Sequence, residues 1–165
     1  MKNMYYQRKA MRLPGYDYGL PGAYFVIVCT SYRRPFFQDE TCKQMAEHTW
    51  KNLPQRFPTI RLDAFAVLPD HIHGILWLEP TQDQKPNLWT IMRAYKSLLY
   101  HSCIDRVRKN SPENVRTIWQ KRYYDSILTT DLELEHTRIY IVNNLDKHLS
   151  LGDYLDYIFD LEGPA

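Results

Sequence analysis

Asp70-His71-Ile72-His73-Gly74-Ile75-Leu76-Trp77-Leu78 (residues 70–78) reads as an interior strand into which two histidines have been written. Side chains alternate across a strand, so His71 and His73 share one face while Ile72, Gly74, Leu76 and Leu78 line the other. Neutral imidazole is a good ligand for divalent transition metals and an acceptable one where the ion also meets phosphate oxygens. Taken alone, the motif is better read as two polar residues on a half-exposed face, bonded to neighbours or to water. A metal reading needs a third ligand and a reactive group from elsewhere in the chain.

Working outward, Ile60, Leu62, Ala64 and Ala66 alternate with Arg61, Asp63, Phe65 and Val67 before Pro69 and Asp70, which predicts a strand paired with 71–78 as an antiparallel hairpin. A strand rich in β-branched and aromatic residues is expected from Ala23 until Pro35 stops it. Residues 39–57 have helical spacing, with Asp39 as N-cap and Pro54 near the end, and residues 88–109 form a long helix. The stretch 111–115 reads as a loop and 116–130 as irregular or strand-like. The segment 131–149 is helical again, opened by a capping box of Thr130 and Glu133. This order predicts an α+β fold of ferredoxin-like type, an antiparallel sheet with helices packed on one face.

At 165 residues the chain is the size of one domain, with a basic arm over 1–22 and an acidic tail over 150–165. Its apolar runs are too short to span a bilayer, and the N-terminus lacks the apolar core of a secretory signal, so a cytoplasmic protein is expected. Cys29, Cys42 and Cys103 are odd in number and widely spaced, which supports neither a disulfide framework nor a zinc knuckle. The net charge of +2 hides an alternation: +5 over 1–38, −2 over 39–85, +5 over 86–126 and −6 over 127–165. Basic segments interleaved with aromatic residues suit a nucleic-acid surface, although composition alone favours a solvated mixed surface.

In the last helix His136, Tyr140, Asn144 and His148 recur every four residues and fall along one stripe, with Ile139, Val142, Leu145 and Leu149 expected to face the core beside it. If the stripe meets the histidine face of the sheet, Asn144 can complete a metal site with His71 and His73, and Tyr140 comes within reach of a bound phosphate. A tyrosine filling a helix–sheet boundary and an asparagine with no special task remain the plainer readings.

Four ordered blocks, Leu62–Leu78, the basic helix after it, Ile118–Leu128 and Arg138–His148, resemble the single-tyrosine transposases of the His-hydrophobic-His superfamily. Within these the chain is most similar to the transposases associated with repetitive extragenic palindromes. The resemblance implies that His71 and His73 bind a divalent metal, Mg²⁺ or Mn²⁺, that Tyr140 is the nucleophile, and that Asn144 is the third ligand. The chain departs from the family pattern at Asn144-Leu145, where Asn-Pro is frequent, and in the Tyr-Tyr-Asp after Arg122.

The implied activity is that of a metal-dependent endonuclease and strand transferase. It would cut single-stranded DNA at hairpin-flanked sites through a covalent 5′-phosphotyrosine, as a monomer or homodimer. His136 and His148 flank the tyrosine as possible helpers. Arg33, Arg34, Trp119, Gln120 and Arg122 are DNA-binding candidates, joined by the aromatic residues Trp89, Tyr123 and Tyr124; whether Trp119, Gln120 and Arg122 touch DNA or buttress the site is left open by the sequence. The alternatives are a domesticated hairpin-binding protein without cleavage activity and, less well matched, a replication initiator or relaxase of the same superfamily.

Overall fold

The computed structural model describes residues 14–110 and 115–147. Four strands, β1 (Gly22–Cys29), β2 (Ile60–Leu68), β3 (His71–Leu78) and β4 (Tyr124–Leu128), form one antiparallel sheet in the order β2-β3-β1-β4. The helices are α1 (Glu40–Lys51), the single turn α2 (Leu53–Arg56), α3 (Leu88–Asn110) and α4 (Asp131–Lys147). This is the ferredoxin-like order expected, with the β2–β3 hairpin turning at Pro69-Asp70. The helix expected over 39–57 divides into α1 and α2 at Asn52, just before Pro54. Residues 1–13 of the basic arm, 111–114 of the expected loop and the acidic tail lie outside the described residues, as do His148 and Leu149.

Helices cover both faces of the sheet, not one. Tyr24, Val26 and Val28 of β1 and Ile72, Leu76 and Leu78 of β3 join Trp50 of α1 and Ile91, Tyr95 and Leu99 of α3 in one core. Ala23, Phe25 and Ile27 of β1 and Ile75 of β3 join Leu134, Tyr140 and Ile141 of α4 in a second. The cause is legible in β1, whose run Ala23–Cys29 is apolar at every position; a strand apolar on both sides must be buried on both.

β1 ends at Cys29, well before Pro35. There the Thr30 backbone N–H donates to the Asp70 carbonyl at 2.9 Å, and the Thr30 hydroxyl lies 2.7 Å from the Arg34 carbonyl. The chain turns sharply, with Tyr32 and Arg33 in left-handed backbone conformations at φ 55° and 56°. Side chains disfavour this region, so the hydrogen bonds of Thr30 must hold it. The final strand forms as expected, and its approach pairs with the end of β1 through a bridge between Thr30 and Trp119.

β2 contains an irregularity that simple alternation does not predict. Its register with β3 shifts between Leu62 and Phe65, a β-bulge. Ile60 and Leu62 face the α1/α3 core before it, whereas Phe65 and Val67 do so after it, which leaves Ala64, Ala66 and Leu68 toward α4. At the bulge Asp63 accepts from its neighbour's backbone, Ala64 N–H to Oδ1 at 2.8 Å, and from Trp77 Nε1 to Oδ2 at 3.0 Å. It also receives both arms of the Arg138 guanidinium, Nε to Oδ1 at 2.8 Å and Nη2 to Oδ2 at 2.6 Å. That fork, with Arg138 as chief cause, holds the Asp63 carboxyl at about 2, below its ordinary 3.8.

The fork fixes which side of α4 meets the sheet. Leu134, Thr137, Tyr140, Ile141 and Asn144 are buried, while Ile139 and Val142, expected in the core, are 41 % and 61 % exposed. Helix entry follows the capping box, with Glu133 N–H donating to Thr130 Oγ1 at 3.1 Å and Thr130 N–H donating to Glu133 Oε2 at 3.1 Å.

On the opposite face Gly74 explains itself. A Cβ there would lie 2.6 Å from the Trp50 indole, which stacks on Phe65 at 4.5 Å between ring centroids. Only a residue without a side chain lets α1 approach β3 this closely.

Two outcomes test this packing. Gly74→Ala should destabilise the fold by about 1–3 kcal/mol through overpacking, and adding Trp50→Phe should recover part of that loss, read from urea midpoints of the single and double variants. Asp63→Asn should cost about 1–2 kcal/mol near neutral pH. Because the folded Asp63 pKa is depressed, its contribution is present above 3.8 and lost as pH falls through about 2. The gap between variant and wild type should therefore close over that interval.

Candidate functional site

His71 and His73 sit at the start of β3, both pointing to the α4 side, with ring centroids 4.6 Å apart. They are 3 % and 0 % exposed, so they are not the half-exposed surface pair that the motif alone suggested. Asp70 Oδ1 lies 2.6 Å from His71 Nδ1. A carboxylate there favours the tautomer with the proton on Nδ1, the arrangement by which outer carboxylates orient metal-binding histidines. Asp70 is itself held by Arg33, Nε to Oδ2 at 2.8 Å, and Arg33 Nη1 lies 2.8 Å from Cys29 Sγ. The turn at Tyr32 and Arg33 thus aims a guanidinium at the carboxylate that aims His71.

His73 is held as neutral imidazole: burial drives its pKa well below 6.5, with smaller contributions from His71 and Arg33. Asn144 approaches from α4, its Nδ2 3.4 Å from His73 Nδ1. One turn earlier Tyr140 stacks on the His73 ring at 5.3 Å and 16° between planes, with the edge of Phe25 against it at 6.3 Å. The expected stripe of α4 therefore meets the expected face of β3, and His71, His73, Tyr140 and Asn144 form one cluster.

Two atoms of this cluster, His73 Nε2 and Asn144 Oδ1, are buried with no hydrogen-bond partner. Orphaned polar atoms cost about 1–3 kcal/mol each in a closed core. A divalent cation would satisfy both, and the donor set of two neutral imidazoles and a carboxamide oxygen fits one. Among the described residues no group of three or more His, Cys, Asp or Glu is placed to hold a metal. A site with so few anionic ligands leaves coordination positions for water and phosphate oxygens, as Mg²⁺ and Mn²⁺ sites do.

The remaining predicted residues separate. His136, one turn before Tyr140, is half-buried, and His148 lies outside the described residues. Arg34 is on the other side, lining a hollow with Asp39 and Val107. Trp119 is 5 % exposed and packs on Phe37 and Tyr95, with Nε1 donating to the Lys96 carbonyl at 3.1 Å, so it is a buttress. Gln120 and Arg122 are exposed on the segment that binds the end of β1, Gln120 N–H to the Cys29 carbonyl at 3.0 Å. Sequence reasoning missed Asp70, Asp63 and Arg138. Asp70 stood beside the histidines as a signal, whereas the Asp63–Arg138 pairing spans 75 positions and carried none.

A family described as IS200-like transposase matches residues 22–144. A Haemophilus influenzae protein without assigned function is 29% identical over 161 residues, covering 84% of this chain and 88% of its own. A REP-associated tyrosine transposase of Escherichia coli K12 is 26% identical over 116 residues, covering 70% of this chain and 62% of that relative. The solved structure of a REP-associated tyrosine transposase bound to a REP hairpin is similar at TM-score 0.64 and 25% identity, over 83% of this chain and 73% of that one. A crystal structure from Deinococcus radiodurans R1 shares the fold at TM-score 0.55 and 19% identity, over 80% of this chain and 95% of that one. Among the described residues no helix is long and apolar enough to cross a membrane. The matched residues 22–144 run from the first strand through both histidines to Tyr140 and Asn144, and the chain belongs to the IS200-like transposase family of DNA-processing proteins.

Proposed function

We propose that the protein cuts and rejoins single-stranded DNA next to hairpins, with Tyr140 as the nucleophile. The observation that carries this reading is the meeting of Tyr140 and Asn144 from α4 with His71 and His73 from β3, in a cluster that keeps two buried polar atoms without hydrogen-bond partners. Hairpin DNA as the partner is supported by the similar solved structure, which is bound to a REP hairpin.

His71, His73 and Asn144 would hold a Mg²⁺ or Mn²⁺ ion. When bound, it supplies polarisation of the scissile phosphate and offsets charge on its oxygens. Tyr140 Oη attacks phosphorus, forming a tyrosyl O–P bond to the 5′ side as the P–O3′ bond breaks. The departing oxygen takes a proton and becomes a 3′-hydroxyl. The phenolic proton passes to water, and His136, one turn away and partly exposed, would be the side chain of α4 placed to help it leave. One phosphodiester replaces another, so attack by a 3′-hydroxyl on the tyrosyl phosphate reverses the step and joins strands without ATP.

Tyr140 is 3 % exposed and Asn144 fully buried. Phosphate entry therefore requires α4 to part from the sheet, and in a dimer the same parting would let the helix serve a partner.

Incubation with single-stranded hairpin DNA and Mn²⁺ should give a covalent protein–DNA adduct on a denaturing gel, absent for Tyr140→Phe and absent for wild type in EDTA. An adduct of undiminished yield from Tyr140→Phe would end the proposal, and wild type that binds hairpins but never forms one would favour the domesticated binding protein. Asp70→Asn, which loosens His71, should weaken Mn²⁺ binding by about 10–100-fold in calorimetric titration while leaving the folded circular dichroism spectrum in place. Unchanged Mn²⁺ affinity would remove Asp70 from the site.

A further inference from the structure

A second feature lies away from the histidines, where the first half of α3 faces the segment leading into β4. A hollow of about 530 Å³ opens there, lined by Trp89, Thr90, Arg93, Lys96, Lys121 and Tyr123 among others, with no carboxylate in its wall among the described residues. Its size is that of clefts that take small molecules, about 300–1,000 Å³.

Trp89 is 46 % exposed, although Trp50 and Trp119 are buried at 1 % and 5 %. Its backbone N–H is capped by Asn87 Oδ1 at 2.9 Å, which fixes the start of α3, and Tyr18 packs against its ring at 5.9 Å. The indole is thus held at the hollow while nearly half exposed. Arg93 lies one turn further along α3, on the same side, and is exposed, as is Lys121 across the hollow.

Lys96 ties the two walls together, its Nζ donating to the Gln120 carbonyl at 2.7 Å and reaching the Lys121 carbonyl at 3.3 Å. Gln120 in turn binds Cys29, and Cys29 is the register partner of His71. A continuous set of backbone contacts therefore runs from the hollow to the strand end that bears the histidine cluster. Exposed Gln120 and Arg122 lie along the way.

An exposed aromatic side chain flanked by cations, with no carboxylate among the described lining residues, is the chemistry that holds an unpaired nucleotide. We propose that this hollow seats one unpaired nucleotide of the DNA strand, with its base on Trp89 and its phosphates against Arg93 and Lys121. By doing so it sets the register of the strand delivered to Tyr140. The inference rests on the reading that the protein acts on single-stranded DNA, and names where that strand is gripped.

The test is equilibrium binding of the full chain, by fluorescence anisotropy, to an oligothymidylate of about 16 nucleotides and to a blunt hairpin duplex. Trp89→Ala should weaken binding of the single strand about tenfold and leave the duplex unchanged, because stacking is tolerant of base identity but needs a base out of the helix. Trp89→Phe should restore most of the loss, which a role in folding alone would not predict. Arg93→Gln and Lys121→Gln should each flatten the dependence of log affinity on log salt by about 0.7. Unchanged binding by Trp89→Ala, an equal loss on the blunt duplex, or no single-strand binding by wild type would overturn the proposal. Adduct formation on the same preparations separates the two claims. An adduct from wild type with unaltered Trp89→Ala binding refutes the hollow alone, while loss of binding without any wild-type adduct upholds the hollow and refutes the tyrosine chemistry.

Discussion

Arg138 closing on Asp63 is the contact on which the site depends. A helix with apolar residues around most of its circumference can lie on a sheet in several rotations. The bidentate fork selects one, because a guanidinium matches a carboxylate in a single plane and the carboxylate is already fixed by the bulge of β2 and by Trp77. That rotation leaves Ile139 and Val142 in solvent and turns Tyr140 and Asn144 onto β3. A different rotation would give a better-covered helix and no site.

The electrostatics of the cluster follow from its depth. An imidazole enclosed by Phe25, Tyr140 and Asn144 cannot take up a second proton cheaply, so His73 is kept neutral with one ring nitrogen unprotonated, and His71 is oriented from behind by a carboxylate that Arg33 steadies. The strained backbone at Tyr32 and Arg33 sits where this second layer is built. The same enclosure leaves buried acceptors without partners, a cost that a purely structural core would have removed by substituting apolar residues.

Much of this was legible in the residues. The hairpin, the Asp39 cap, the capping box of Thr130 and Glu133 and the order of elements rest on local signals, and local signals survive folding. So did the meeting of His71 and His73 with the Tyr140 stripe, since strand and helix periods fix which side chains share a face. The bulge was not legible, because Asp63-Ala64 contains no glycine or proline and the apolar alternation reads the same on either side of it. The core face of α4 was missed for a related reason: Ile139, Ile141 and Val142 are near-equivalent by hydropathy, and only the distant carboxylate of Asp63 decides among them. Trp119, expected either beside DNA or behind the site, is buried against Phe37 and Tyr95, a packing that one residue in the sequence cannot announce.

The most direct measurement is to locate the DNA attachment by digesting a trapped adduct with protease and nuclease and sequencing the modified peptide by tandem mass spectrometry. With 13 tyrosines in the chain the position is informative. A nucleotide phosphate on Tyr140 is the result this account predicts. Attachment to any other residue would contradict it.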